Sequence, residues 1–224
     1  MKLSNNTKRI LENFSLINDN ILIKPGSTLK TISSSRTVLG SATIEETFPQ
    51  EFGIYNLKNF LAIYKILDDA DLEFDDRLVI MKSGNQRVRY TRAETATLET
   101  PPKDIALPSV DVELVITHPD RQTIDTAART LGCSFCHIHS KGKGKTRFST
   151  LNDKDKSSNE FSIELDHESK VAFDMHFDLN NLSLVAGDYL VQISSKLISK
   201  WANTADDTKV EYFIAVDKAS TFNG

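Results

Sequence analysis

One sequence pattern occurs twice in this chain, once in each half, and this duplication limits the possible folds more than any other feature. Residues 52–76 read FGIYNLKNFLAIYKILDDADLEFDD, and a weaker copy, FDMHFDLNNLSLVAGDYLVQISSK, returns at residues 173–196. Both copies predict a strand, then a helix that begins Asn-Leu or Asp-Leu, then an acidic turn and another strand. The flanking order repeats too, because residues 3–18 and 119–131 each have the pattern of an amphipathic helix that precedes strands. Duplicated modules of this kind are suited to stacking into rings or solenoids, so the pattern favours an assembly over a pocket enzyme.

The length and composition are those of an ordinary globular protein. With 224 residues, of which 39% are hydrophobic and 26% charged, the chain can form one large or two ordinary domains, each with its own core. No apolar run is long enough to cross a bilayer, and the Met-Lys start is not followed by an apolar signal core. We therefore expect a cytoplasmic protein with no membrane partner.

A proline-rich stretch divides the chain near its middle. Residues 98–109 read LETPPKDIALPS, and the prolines prevent a regular helix or a central strand there. We expect an N-terminal domain over residues 1–100, a connector over 101–109 that lies along the surface, and a C-terminal domain over 110–224.

Strands outnumber helices about threefold in the predicted order of elements. This proportion favours an α+β fold, with helices segregated to one face of mostly antiparallel sheets. Residues 24–27 and 83–86 have turn composition at hairpin spacing. The predicted strands span residues 21–23, 29–33, 38–45, 78–82, 87–91, 112–117, 134–139, 146–151, 161–165, 171–177, 189–195 and 210–216.

Each of the three predicted helices has a cationic outer side. A helical wheel places apolar residues on one side of each helix, and on the other side lie Lys8 and Arg9, then Lys58 and Lys65, then Arg129 with Arg121 on its flank. For one helix alone this is typical of a solvated face. If all three helices lie on one side of the sheets, their cations could face a phosphate backbone even though the net charge is −4, since attraction depends on the local patch.

A second basic cluster lies in the sequence SKGKGKTR, which contributes Lys141, Lys143, Lys145 and Arg147. The two glycines predict a hairpin tip, and the spacing does not match a nucleotide-binding loop. Phosphate contact and a plain exposed turn both remain open for these lysines.

The sharpest chemical motif is Cys133-x-x-Cys136-His137, the string that attaches haem covalently, and His139 adds a potential metal ligand. Haem attachment needs export, no second cysteine pair completes a zinc site, and the string lies in a predicted strand where the two cysteines would point to opposite faces. Cysteines that act as small buried hydrophobes are the alternative. No other motif indicates catalysis, so we expect no enzyme activity, no cofactor and no bound metal.

Four segments resemble the sliding clamps of large tailed bacteriophages, the processivity factors of DNA polymerase. They are MKLS with ILENFSLIN, then IYNLKNFLAIYKILDDADLE, then TPPKDIALP, and finally AGDYLVQISSK with YFIAVDKAS. In order and spacing they cover almost the entire chain, and the second is the most specific. The sequence CSFCHIHSKGKGKTR departs from the family's regular β-hairpin, and the helix after Asp178 is short and has no cations.

The resemblance implies a non-catalytic homotrimeric ring of two similar domains per chain, with helices inside and antiparallel sheets outside. Such rings encircle duplex DNA without sequence preference, are closed around it by an ATP-driven clamp loader, hold the DNA polymerase, and support late transcription. We expect the helix cations and the three hairpin lysines to face DNA. Ile105, Leu107 and Pro108 are the expected partner-binding residues, with mere packing of the connector as the alternative for them.

Two other classes of function stay open at this point. One is a duplicated, β-rich phage structural or scaffold protein that assembles without DNA inside. The other is a haem or metal redox protein that uses Cys133, Cys136 and His137.

Overall fold

The computed structural model describes residues 1–68, 70–101, 105–151, 159–205 and 207–224. It divides into two compact units. Unit 1 comprises Met1–Asp104 with Asp206–Val210, and unit 2 comprises Ile105–Ala205 with Glu211–Gly224.

The described residues of unit 1 form two α-helices, a short 3₁₀ helix (Thr95–Thr97) and antiparallel strands. β1 pairs with β4, β2 with β3, and β5, β6 and β7 form a three-stranded sheet. The helices are α1 (Asn5–Ile17) and α2 (Leu57–Ile66), and the strands are β1 (Ile21–Ile23), β2 (Gly26–Ile32), β3 (Val38–Phe48), β4 (Phe52–Ile54), β5 (Asp71–Phe74), β6 (Leu78–Ser83) and β7 (Gln86–Thr91).

In the described residues of unit 2 there are one α-helix and two antiparallel sets of strands. One set has the order β11-β10-β9-β12-β16, and the other has the order β8-β13-β14-β15. The helix is α3 (His118–Leu131), and the strands are β8 (Val112–Ile116), β9 (Phe135–Lys141), β10 (Lys145–Leu151), β11 (Phe161–Glu168), β12 (Ala172–Asp178), β13 (Tyr189–Ser194), β14 (Ile198–Asn203), β15 (Val210–Ala215) and β16 (Thr221–Phe222).

The core of unit 1 lies beneath the apolar faces of its two helices. Ile10, Leu11 and Phe14 of α1 are buried, as are Phe60 and Leu61 of α2. The first helix packs closely on β3, because a Cβ on Gly40 would come within 2.9 Å of the Phe14 ring. Burial of one such aromatic side chain stabilises a domain by about 1.5–3 kcal/mol.

The core of unit 2 lies between α3 and one face of the β9–β12 sheet. Ile124 and Ala128 of the helix are buried, as are Ile138 of β9 and Phe148 of β10. In the other set of strands the fully buried Trp201 meets Phe177 edge to face, with ring centroids 5.6 Å apart. The predicted class, mostly antiparallel sheets with few helices, is confirmed.

Several local predictions were wrong in detail. Residues 24–27 do not close a hairpin, because β1 pairs with β4 and β2 pairs with β3. The helix expected after Asp178 is a single 3₁₀ turn, Leu179–Leu182, and β14 was not predicted. The strand–helix–strand order of the duplicated pattern is nevertheless present in both units, as β4–α2–β5 and as β12–3₁₀ turn–β13.

The expected domain boundaries stay a prediction. Residues 102–104 of the expected connector lie outside the described residues. None of the described helices is long and apolar enough to cross a membrane.

Candidate nucleic-acid interface

Tyr64 fixes how α1 and α2 lie against each other. Its hydroxyl accepts a hydrogen bond from the backbone nitrogen of Leu3, just before α1, at 3.0 Å, and donates one to the carbonyl of Ala70, after α2, at 2.9 Å. The ring is buried between the helices. One side chain therefore links the start of the first helix to the end of the second.

Asp19 joins the other ends of the same two helices. Its carbonyl accepts a hydrogen bond of 2.7 Å from the backbone nitrogen of Leu57, the first residue of α2. Asn56 caps that helix, because its side chain accepts a hydrogen bond from the nitrogen of Asn59 at 2.8 Å. With both ends tied, the outward side chains of the two helices have fixed relative positions.

The beginning of α1 is also held from the sheet. Ser4 caps the helix through its hydroxyl, which accepts a hydrogen bond from the nitrogen of Thr7 at 3.2 Å. Glu46 of β3 accepts hydrogen bonds from the backbone nitrogen of Ser4 and from the Thr7 hydroxyl. Although burial raises its pKa, these hydrogen bonds outweigh that effect and hold the pKa of Glu46 below its ordinary value.

The predicted outward cations of α1 and α2 lie on the surface of unit 1. Lys58 and Lys65 are exposed, Arg9 is exposed, and Lys8 is partly exposed. The two helices form a shallow groove in which three cations stand against two carboxylates, and its lining consists of Asn5, Lys8, Arg9, Glu12, Leu61, Tyr64, Lys65 and Asp68. The groove is thus weakly positive.

Not all of these cations are equally available to a ligand. Lys58 forms an ion pair with Asp19 at 2.8 Å. Arg9 donates hydrogen bonds to the side chains of Asn6, at 3.0 Å, and Thr208. Among the described residues, neither Lys8 nor Lys65 forms an ion pair. We therefore regard Lys8 and Lys65 as the strongest candidates for contact with phosphate.

The third helix carries its cations differently. It begins at a Thr117 cap and ends at Gly132, whose left-handed backbone (φ 70°) stops the helix. Arg129 extends into solvent and pairs with Asp125 one turn earlier, at 2.9 Å. This hydrogen bond and the carboxylate charge raise the pKa of Arg129.

Arg121 is held by unit 2 itself. Its guanidinium donates hydrogen bonds to the carbonyls of Leu184, at 3.4 Å, and Val185, at 3.0 Å, and lies 5.4 Å from the centre of the Tyr189 ring. Burial lowers the pKa of this arginine. Its assignment to a DNA-facing surface stays a prediction, but these contacts favour a role in holding α3 to the segment after the 3₁₀ turn.

The three hairpin lysines lie at the β9–β10 turn, as the glycines predict. Gly142 and Gly144 have φ of 78° and 87°, which is the left-handed region that favours glycine. Lys141 and Lys143 are exposed, and Lys145 pairs with Asp166 of β11 at 3.3 Å. Their contact with DNA stays a prediction.

The expected partner-binding residues belong to unit 2 in the structure. Ile105 and Leu107 are half-buried, and Pro108 is exposed. Val110, which the sequence pattern did not single out, is 50% exposed, so apolar surface continues beyond the connector. Whether a partner docks there stays a prediction.

In the described residues, the Cys-x-x-Cys-His string does not bring its two cysteines and its histidine together in one site. Cys136 is fully buried in β9, and this burial strongly raises the pKa of its thiol. His137, the next residue of the same strand, points to the opposite face. In the described part of the chain, the potential ligands that come together are His137, Asp174 and His176, and neither cysteine is among them.

Two curated relatives match the chain along almost its full length. The sliding clamp of Vibrio phage KVP40 is 28% identical over 223 residues, which cover 97% of this chain and 99% of the relative. The sliding clamp of Escherichia phage RB69 is 26% identical over 230 residues, with 99% of each chain covered. No protein-family model matches the chain.

Solved structures show the same fold at much lower sequence identity. PCNA from A. fulgidus, solved with the C-terminal region of FEN-1 bound, superimposes with a TM-score of 0.72 at 14% identity and 96% coverage of both chains. The resemblance that the four sequence segments indicate is confirmed by the two phage relatives. The chain therefore resembles phage sliding clamps in sequence along nearly its whole length, and it has the fold of the sliding clamps of known structure.

Proposed function

We propose that this protein is a DNA sliding clamp, in which three copies close head to tail into a ring around duplex DNA. The observation that carries the proposal is the match to phage sliding clamps over nearly the whole of both chains. Head-to-tail contacts close into a ring when the rotation between subunits returns to its start. Each chain contributes its two units, with α1, α2 and α3 towards the DNA.

The proposed mechanism is topological. A closed ring holds a tethered DNA polymerase near the primer end even when the polymerase releases the template, because the effective local concentration stays high. The ring itself needs only weak attraction to DNA. The groove between α1 and α2 fits this requirement, since Lys8, Arg9 and Lys65 are partly balanced by Glu12 and Asp68.

The attraction would be independent of DNA sequence. Lysine and arginine contacts to phosphates fix position but read no bases, so the ring can move along the duplex. Ion pairs such as Lys58–Asp19 and Arg129–Asp125 partly neutralise these cations and so weaken their attraction to the phosphates of the DNA. A strongly basic lining would slow this movement.

The oligomeric state gives the first test. Light scattering should give a mass of about 75 kDa for a trimer of 25.1 kDa chains. The same preparation should bind a linear duplex with open ends and lose that binding when both ends are blocked with streptavidin, because a ring threads over an open end. Equal binding to the blocked and the open duplex, or a monomeric mass at micromolar concentration, would argue against the ring. An assembly that binds neither duplex would favour a scaffold protein.

We further propose that the DNA polymerase and an ATP-dependent clamp loader dock on the connector, and that the transcription machinery for late genes uses the same ring. The half-buried Ile105 and Leu107 and the exposed Pro108 support a peptide-docking role. The double variant Ile105→Asp, Leu107→Asp should abolish stimulation of the polymerase while the trimer mass stays unchanged. Full stimulation by this variant would remove the connector from the proposal.

A further inference from the structure

Two histidines and an aspartate meet on one face of the five-stranded sheet of unit 2. In the register of β9 and β12, His137 lies directly opposite His176, and Asp174 precedes His176 by two residues. Residues two apart on a strand share a face, so all three side chains project to the same side. Cys136 and Ile138, the neighbours of His137 on β9, lie in the core on the other side.

The carboxylate of Asp174 lies within reach of both imidazoles. Nδ1 of His137 is 3.2 Å from Oδ1 of Asp174, and Nε2 of His176 is 3.1 Å from Oδ2. The two rings lie against each other with centroids 3.8 Å apart. One potential ligand atom from each residue lies within 4.8 Å of the others.

We propose that His137, Asp174 and His176 bind one divalent transition-metal ion of the zinc class. Imidazole nitrogen and carboxylate oxygen are common zinc ligands, with bond lengths near 2.0–2.2 Å. Neighbouring ligand atoms in a tetrahedral site with such bonds are roughly 3.3 Å apart. The present N···O separations are close to that spacing, and the two stacked rings would turn apart so that both nitrogens point at the ion.

The burial pattern gives the ion a way in and a position for water. The side chains of His137 and His176 are only 4% and 12% exposed, whereas that of Asp174 is 44% exposed. The ion would therefore enter past the carboxylate. Three protein ligands would leave a fourth position open to solvent, which is a common arrangement for zinc.

The expected consequence is stabilisation of unit 2. A bound ion would join β9 to β12, strands whose ligands are separated by 37 residues of chain. Because the site does not exist in the unfolded chain, the binding free energy would add to the free energy of unfolding. This site is separate from the cationic helices and goes beyond the proposed clamp function.

The test is a titration of the purified full-length protein with Zn²⁺ and with Co²⁺ after treatment with a chelator. We expect one ion per chain, a Co²⁺ absorption spectrum typical of nitrogen and oxygen ligands, and a higher melting temperature with Zn²⁺. Asp174→Asn keeps the shape of the side chain. This variant and His176→Ala should each weaken Zn²⁺ binding at least about tenfold, a factor typical of a disturbed metal site.

His118→Gln is the matched control, because it removes a histidine on α3 outside the three-residue cluster. This variant should bind as tightly as the unaltered chain, and circular dichroism should show all variants folded. The proposal is overturned if the unaltered chain binds no ion, or if Asp174→Asn binds Zn²⁺ as tightly as the control. Retention of the protein on DNA does not depend on this site, so a negative result here would not count against the proposed clamp function.

Discussion

The ammonium group of Lys58 lies 2.8 Å from a carboxylate oxygen of Asp19, so this outward cation of α2 is already paired within unit 1. Both side chains are more than half exposed, at 55% and 69%. Such exposed pairs contribute roughly 0–1 kcal/mol to stability. The pair therefore contributes little to folding, and its main effect is to reduce the net positive charge that this part of the surface presents to a phosphate.

Removal of the Asp19 charge should strengthen the attraction to DNA. Asp19→Asn frees Lys58 while the backbone carbonyl of Asp19 still holds the start of α2. We expect affinity for a linear duplex to rise about two- to fivefold at low salt, the range that corresponds to an exposed pair. Fluorescence anisotropy with a labelled duplex measures this. Glu45→Gln removes one negative charge from an exposed position on β3 and should change little, and an equal rise in this control would refute the specific role of Asp19.

Charge reversal in the groove should weaken the interaction with DNA. The double variant Lys8→Glu, Lys65→Glu turns a weakly positive groove negative. In a plot of log affinity against log salt concentration, the slope should become shallower by about 0.9 for each phosphate contact that is removed. The control is Lys24→Glu with Lys218→Glu, which makes the same change in net charge at exposed positions outside the helices. If both double variants lose affinity equally, only net charge matters and the groove has no special role.

Arg121 and Arg129 lie on the same helix but should respond differently to replacement. Arg121→Gln leaves the carbonyls of Leu184 and Val185 without their donor, so the free energy of unfolding should fall by about 1–3 kcal/mol. Arg129→Gln alters a solvent-exposed side chain and should leave the denaturation midpoint unchanged while it weakens binding to DNA. Urea denaturation with anisotropy on the same samples separates the two effects. An unchanged midpoint for Arg121→Gln would show that its hydrogen bonds do not stabilise the fold.

Glu46 should make the stability of unit 1 sensitive to acid. Its pKa in the folded state lies below the ordinary value of 4.5, so the unfolded chain takes up the proton first as the pH falls. The stabilisation is complete above about pH 5 and is lost as the pH falls through the folded-state pKa. We expect Glu46→Gln to lower the free energy of unfolding by roughly 1–2 kcal/mol at pH 7 and to have a smaller effect at pH 3. Denaturation at both pH values measures this, and a loss of equal size at the two would contradict it.

The sequence predicted well those elements whose buried residues are apolar. The wheel for α2 placed Leu57, Phe60 and Tyr64 inward and Lys58 and Lys65 outward, and the burial of these residues confirms both faces. In a strongly amphipathic helix, the spacing of the apolar residues along the sequence is enough to predict which side is buried. The end of α3 shows the limit of this principle, because its last residue, the apolar Leu131, is 36% exposed.

The missed strand β14 has the opposite pattern. Its buried positions hold Ser199 and Trp201, while Ile198 is only partly buried. Ser199 is satisfied there because its hydroxyl donates to the carbonyl of Ile214 and accepts from the indole of Trp201. A polar residue on the buried face hides the alternation that reveals a strand, and only the neighbouring strands provide the partners.

Side-chain clusters from different strands were the least predictable features. The sequence drew attention to Cys133, Cys136 and His137 because they are close along the chain. The structure instead brings His137 together with Asp174 and His176 through the register of β9 and β12. Similarly, the backbone carbonyls that bind Arg121 lie more than sixty residues away and follow no sequence pattern. Tertiary pairing, and not local spacing, determines both sets of contacts.

Retention on circular DNA tests the central proposal most directly. The labelled protein is loaded on a nicked circular plasmid with an ATP-dependent clamp loader, free protein is removed by gel filtration, and half of the sample is cut once with a restriction enzyme. An encircling ring should stay on the circle and leave the cut DNA through its free ends. Equal retention on both forms would mean that the protein binds DNA by contact alone, and the proposed function would be wrong.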